Sequence, residues 1–243
     1  MTRSKPNDSA KNRLILALDF AAPSEASAFV EQLGTPAITY KIGLELIYAG
    51  GLSYASRLAA QGFDVFIDAK LLDIGQTVER AAANIAALGA KFLTVHATDS
   101  KTLEAAVRGR GTSDMKLLAV TVMTNLEPRD LVEQGIVAPI DEMVLRRARM
   151  AKDAGFDGVV ASAWEADRIR QDVGPSFLIV TPGVRCFEQP ALDQMRIATP
   201  AQAITAGADY LVIGRPITRA ADPRGAFEAV LAEISEALPP LAR

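Results

Sequence analysis

The sequence predicts an α/β protein of a single domain, a (β/α)8 TIM barrel, and three observations carry that prediction. Eight short apolar runs recur along the chain, longer Ala/Leu/Glu/Arg-rich stretches with helical spacing lie between them, and polar side chains gather where the runs end. The first and last runs begin 197 residues apart. The mean interval is therefore about 28 residues, the length of a strand, a crossover helix and two loops. A total of 243 residues suits eight such units closed into one barrel.

The first run, RLILALDF from Arg13, is followed by the polar turn AAPSEA and not by the G-x-G-x-x-G of a dinucleotide-binding sheet, which disfavours a doubly wound alternative. ITYKIGLE from Ile38 and DVFIDAKL from Asp64 supply the second and third strands. FLTVHAT from Phe92 and MKLLAVTVM from Met115 supply the fourth and fifth. GVVASAW from Gly158, SFLIVTPGV from Ser176 and YLVIGRPI from Tyr210 complete the set. Near-continuous apolar runs fit strands of a parallel sheet that is covered on both faces. Residues 1–12 are predominantly polar and are expected to form a disordered tail, leaving 13–243 as the barrel.

Composition narrows the function classes. With 26 basic and 29 acidic residues the formal net charge is −3, which disfavours a nucleic-acid partner held by excess positive charge. A hydrophobic share of 49% and a charged share of 23% are those of a globular chain with one sizeable core. One cysteine, Cys186, and one histidine, His96, can build neither an internal disulfide nor a His-rich metal cage. No run reaches the ~18 apolar residues of a membrane span, and the reading is of a cytoplasmic protein without a membrane partner.

The polar residues at the run ends are Asp19, Lys41, Asp68, Lys70, His96, Thr124 and Arg215. In a barrel of this kind the carboxyl-terminal end of the strands is where sites assemble. The densest signal is FIDAKLLDIGQT, Phe66 to Thr77. Asp68 and Lys70 stand two apart on a strand and so share a face, and Asp73 follows where the strand should end. An Asp/Lys pair is usually a surface salt bridge worth little. These two are embedded in VFIDAKLL, where burying an ion costs several kcal/mol unless it is paired or has a function. A lysine flanked by carboxylates is held as the ammonium, since nearby negative charge favours that form. That suits it poorly to Schiff-base chemistry and well to stabilising a developing carbanion and then protonating it.

A second signal lies near the carboxyl end. VTPGVR, Val180 to Arg185, closes the seventh run and VIGRPIT, Val212 to Thr218, closes the eighth. These are the two loops that most often hold a phosphate in such barrels. Gly183 and Gly214 let backbone N–H groups approach an anion, and Arg185 and Arg215 add charge-assisted bonds. A phosphorylated small molecule is the expected ligand.

Together these motifs resemble those of the orotidine 5′-phosphate decarboxylases of bacterial type. The resemblance runs from LALD through YKIG, DAKLLDI, VHA, VTVMT and TPGVR to DYLVIGRPIT, almost the whole chain after the tail. It implies conversion of orotidine 5′-monophosphate to uridine 5′-monophosphate and carbon dioxide in pyrimidine biosynthesis, with no cofactor and no metal. Carried over residue by residue, it makes Lys70 the proton donor to C6 of the pyrimidine, with Asp68 facing the scissile carboxylate. Asp73 matches the second acid, which in the family reaches the neighbouring subunit's site with Ile74 and Thr77, so a homodimer is implied. Asp19 and Lys41 match ribose contacts, Lys41 also joining the charged array, and Thr124 matches the hydroxyl that reads the pyrimidine edge. Arg185, Gln194, Gly214 and Arg215 match the phosphate grip, with Gln194 on the loop that closes over the ligand. Two departures are visible: the family's D-I-P-N-T reads Asp73-Ile74-Gly75-Gln76-Thr77, and a Gly-Gly pair after V-H-A is replaced by Thr98-Asp99-Ser100.

Two other readings compete. A magnesium-dependent relative, a sugar-phosphate decarboxylase or hexulose-phosphate synthase, shares D-x-K-x-x-D but would need an acid where this chain has Lys41. A non-catalytic barrel that binds a phosphorylated metabolite would keep the phosphate grip without the charged array. His96 is expected to be a hydrogen-bonded structural residue, Cys186 an incidental thiol and Trp164 a packing residue.

Overall fold

The computed structural model describes residues 6–34, 39–185 and 198–238. Eight parallel strands close into one barrel in sequence order, with β1 paired to both β2 and β8. They are β1 Leu14–Ala17, β2 Thr39–Gly43, β3 Asp64–Leu71, β4 Phe92–His96, β5 Lys116–Val120, β6 Gly158–Val160, β7 Leu178–Thr181 and β8 Tyr210–Ile213. Every one falls inside a run expected from the sequence. The longest crossover joins β5 to β6 and carries two helices, Pro128–Glu133 and Ile140–Asp153.

Two layers of apolar packing follow from strand alternation. Outward side chains such as Leu16, Ile42, Ile67 and Leu93 pack under the helices. Inward ones form a separate plug of Ile15, Phe66, Phe92, Leu118 and Val180. The rings of Phe66, Phe92 and Tyr210 meet edge to face at 5.8 and 5.3 Å, the arrangement that aromatic quadrupoles favour. This plug is the floor on which the polar end of the barrel rests.

Some helices start where a capping side chain satisfies their free N–H groups. Asp99 accepts from Thr102 N at 2.9 Å and begins Ser100–Arg110, so the replacement of the family's glycine pair supplies a cap. Thr199 and Gln202 form a reciprocal box at the start of Pro200–Thr205. Gly75 opens the helix Gly75–Ala87, with Val78 N bonded to Ile74 O at 3.2 Å, so that turn forms without the family's proline.

Two expectations are corrected. Part of the polar amino terminus is ordered: Pro6–Lys11 is a short helix whose Ala10 is buried, packed against the last helix, Pro223–Ala237. Trp164 is not a packing residue, being 69% exposed. The buried stripe of its helix, Ala163–Val173, runs through Glu165, Ala166, Ile169 and Val173, and Trp164 lies off that stripe.

Candidate active site

Above the aromatic plug, the inward positions of β3 and β4 turn from apolar to polar within one step. Phe66 is followed on the same face by Asp68, and Phe92 by Thr94. Lys41, on β2, is buried, and its Nζ donates to Asp19 Oδ1 at 2.9 Å and lies 3.7 Å from Asp68 Oδ2. Lys70 Nζ donates to Asp68 Oδ1 at 2.8 Å. One carboxylate therefore bridges two ammonium groups, and a second, Asp19, closes the row on the rim.

The row depends on a break in the strand. The pairing of β3 with β4 goes from Ile67↔Leu93 to Leu71↔Val95, so β3 carries extra residues in a bulge. Within it Lys70 has φ +46°, and it alone among the described non-glycine residues has positive φ. A non-glycine residue in that region costs about 1–2 kcal/mol. The expected regular alternation of Asp68 and Lys70 is thus replaced by a strained backbone that still brings both side chains to one cavity. Strain of this kind is found where surrounding contacts over-determine a residue, as at active sites.

Electrostatics keeps the array charged. Burial alone would push the Asp68 carboxyl up, but the charges of Lys41 and Lys70 and the hydrogen bonds from Lys70 and Thr94 hold it below the ordinary carboxylate value. Burial would likewise lower the Lys41 ammonium, and the carboxylates of Asp19 and Asp68 outweigh it and raise it.

The array forms one wall of a cavity of about 270 Å³ at the carboxyl end of the barrel. Gly183, Arg185, Gly214 and Arg215, from the loops after β7 and β8, line the same cavity, with Gly214 beside Asp19. Gly183 has φ +75°, a conformation that turns the loop sharply and suits glycine. Val184 pairs with Ala198 as an isolated bridge and Arg185 N donates to Ala198 O at 3.0 Å, which sets residues 184–185 beside Ala198. Thr124 is buried in the same cavity, on the segment after β5. That segment is anchored by Arg147, whose Nη1 donates to Thr121 O at 2.5 Å.

Of the residues expected at the site, Asp19, Lys41, Asp68, Lys70, Thr124, Arg185, Gly214 and Arg215 all line this cavity. Asp73, Ile74 and Thr77 do not. They are exposed at the bulge's outer edge, beside a shallow depression that also touches Lys70 and His96. Asp73 is outside ion-pair distance of Lys70, and its carboxylate accepts instead from Ile74 N at 2.6 Å. Three charges do not crowd the strand end within one chain. Gln194 and Cys186 lie outside the described residues.

Three residues were missed. Thr94 accepts from Lys70 N and donates to Asp68 Oδ1, both at 2.9 Å, and the alternation Phe92-x-Thr94-x-His96 was its available signal. Gly43 leaves room for the Lys41–Asp19 pair, since a Cβ there would sit 2.9 Å from Lys41 Nζ; the sequence offered only a glycine after YKI. Asn125 lines the cavity beside Thr124 and had no signal beyond that adjacency.

A closed parallel barrel with a paired acid–lysine row facing a glycine–arginine rim defines an enzyme of the (β/α)8 class built for an anionic small molecule. The comparisons narrow that class: a profile of the "Orotidine 5'-phosphate decarboxylase / HUMPS family" matches residues 12–230, and the chain belongs to this family. It is 50% identical over 230 residues to an orotidine 5'-phosphate decarboxylase of Methylobacterium sp. (strain 4-46), covering 93% of this chain and 97% of that one. It is 51% identical over 227 residues to the one from Caulobacter sp. (strain K31), covering 93% and 99%. The crystal structure of orotidine 5'-phosphate decarboxylase from Lactobacillus acidophilus superposes with a TM-score of 0.81 at 37% identity, over 92% of this chain and 99% of that one.

Proposed function

We propose that the chain converts orotidine 5′-monophosphate to uridine 5′-monophosphate and carbon dioxide, with Lys70 delivering the proton that replaces the carboxylate at C6. The observation that carries this reading is the Lys41–Asp68–Lys70 row lining one cavity together with Arg185 and Arg215. Breaking the C6 carboxylate bond leaves an electron pair on a ring carbon that cannot delocalise it well. A fixed ammonium beside that carbon lowers the barrier because its charge is in place before the pair develops. The Lys70 N–H bond then breaks toward C6, and the lysine regains a proton from solvent after product leaves. Asp68, hydrogen-bonded by Thr94 and Lys70 and ion-paired with Lys41, holds the ammonium on line.

The remaining roles follow from position. Asp19 and Lys41 suit the ribose hydroxyls, Thr124 the pyrimidine edge, and Arg185, Gly214 and Arg215 the phosphate, with Gln194 as a further phosphate contact. Phosphate binding, remote from C6, would contribute its energy to the step at C6. Asp73, Ile74 and Thr77 serve the site of a second copy in a homodimer. Their exposure supports this, as does the exposed apolar surface around them, Leu44, Tyr48, Leu72 and Ile74. Sedimentation should give twice the chain mass of 25.8 kDa. Among the described residues no helix is long and apolar enough to cross a membrane, and we place the enzyme in the cytoplasm with its nucleotide substrate.

The magnesium-dependent reading is disfavoured by one observation. Lys41 Nζ lies between the carboxylates of Asp19 and Asp68, where a divalent ion would have to sit to use both. The test is to mix purified chain with orotidine 5′-monophosphate in EDTA and follow uridine 5′-monophosphate. Steady product formation is expected. No product, or product only after magnesium is restored, would overturn the proposal.

A further inference from the structure

We infer that Thr94 is a positioning residue, whose hydroxyl locks both ends of Lys70 through Asp68; the inference rests on the decarboxylase reading above. Lys70 N donates to Thr94 Oγ1 at 2.9 Å, Thr94 Oγ1 donates to Asp68 Oδ1 at 2.9 Å, and Lys70 Nζ donates to the same Oδ1 at 2.8 Å. These three bonds close a ring that begins and ends on one residue. Because the hydroxyl accepts from the backbone N–H, its single proton is directed to the carboxylate, so the ring has one polarity. Thr94 is fully buried on β4 above the Phe92 plug, and cannot be replaced in this role by solvent from below.

The ring explains how the bulge persists. Between Ile67 and Leu71 the pairing register with β4 shifts, and the Thr94 side chain takes up the Lys70 N–H inside the shifted stretch. The same atom that holds the positive φ of Lys70 therefore fixes the carboxylate against which its ammonium rests. Loss of the hydroxyl would leave a buried N–H without its partner and free Asp68 to turn toward Lys41. Displacing a proton donor by about 1 Å can cost about 10²-fold in rate.

Thr94→Val keeps the shape and removes the hydroxyl; Thr94→Ser keeps the hydroxyl and removes a methyl. With orotidine 5′-monophosphate as substrate, Thr94→Val is expected to lower kcat by about 10- to 100-fold. KM and uridine 5′-monophosphate affinity should stay within about 3-fold of wild type, because Thr94 does not itself line the cavity. Thr94→Ser should recover most of kcat. If Thr94→Val does not fold, Thr94→Ala carries the same comparison against Thr94→Ser. A hydroxyl-free variant with wild-type kcat, a serine variant as slow as the valine one, or an effect confined to KM would overturn the inference while leaving the decarboxylase reading intact. A wild-type chain that forms no product would end both.

Discussion

The two ends of the barrel are built from the same ingredients, aspartates beside cations, and behave differently. At the amino-terminal end Asp157 accepts from Leu117 N at 2.9 Å and pairs with Arg110 at 2.7 Å and Lys116 at 3.0 Å. Asp209 repeats the pattern, accepting from Ile179 N at 2.9 Å and pairing with Arg170 at 2.6 Å. Each carboxylate fastens one strand to its neighbour and leaves the backbone regular. At the carboxyl-terminal end Asp68 is bonded to side chains, beside a residue of positive φ, and faces an open cavity. Burial does not separate the cases, since the side chains of Asp68, Asp157 and Asp209 are 14%, 18% and 23% exposed. What separates them is whether the acid also accepts from a backbone N–H of the neighbouring strand, which makes a staple, or only from side chains, which leaves charge aimed at a ligand.

The comparison breaks most visibly if the carboxyl end proves to be a staple too. Lys70→Ala is expected to lower kcat by about 10⁴-fold or more, combining loss of a proton donor with loss of a preorganised charge. The melting temperature should fall by only a few degrees, since Lys41 still pairs with Asp68, and uridine 5′-monophosphate binding should remain measurable by calorimetry. Retained turnover would remove Lys70 from the chemistry. Arg215→Ala comes next. It should lower kcat as well as raise KM, with kcat/KM falling by about 10²-fold, because remote binding energy supports the step at C6. A change in KM alone would show that the phosphate grip only binds.

At the other end the expected effect is on stability. Asp209→Ala removes the carboxylate partner of Arg170, which keeps its backbone acceptors, and the acceptor of Ile179 N, and should cost about 3 kcal/mol. For a chain of this size that is roughly a 6–12 °C fall in melting temperature. Activity per folded molecule should stay within about twofold of wild type. A large fall in kcat at unchanged stability would show that the amino-terminal acids are coupled to the site.

A pH series sharpens the contrast further. Asp68 titrates lower in the folded chain than unfolded, so its stabilisation is complete above about pH 4 and is lost as pH falls through the folded value. Lys41 titrates higher when folded, so its stabilisation is complete below about pH 10 and is lost as pH rises through the folded value. The denaturation free energy of Lys41→Met relative to wild type should therefore be flat from about pH 5 to 9 and change only beyond those limits.

Much of this was legible because the signals are local. FIDAKLL announces charge inside an apolar strand, and TPGVR and IGRPIT announce small residues and arginines at strand ends. The bulge was not legible, since nothing in D-A-K-L-L marks Lys70 for positive φ; the partner that fixes it, Thr94, lies 24 residues away. The amino-terminal staples were passed over for the opposite reason. Asp157 and Asp209 sit just before their strands, where polar residues are ordinary, and their role depends on Arg110 and Arg170, 47 and 39 residues distant. The exposure of Asp73, Ile74 and Thr77 also required three dimensions, because a strand-end acid reads the same whether it turns inward or away.

His96 gives the smallest expected effect and tests how far the array's field extends. Burial lowers its imidazolium, the charges of Lys70 and Arg147 lower it further, and Asp68 only partly opposes them. A histidine whose folded value is depressed binds its proton more readily when unfolded, so stability is complete above about pH 6.5 and falls on acidification toward the folded value. His96→Gln should flatten the stability profile below that pH without altering it near neutrality. Adding Lys70→Ala to the otherwise wild-type histidine should shrink the same slope, since one of the repelling charges is gone. An unchanged slope in that variant would confine the influence of Lys70 to its own cavity and place the cause of the His96 shift in burial and Arg147.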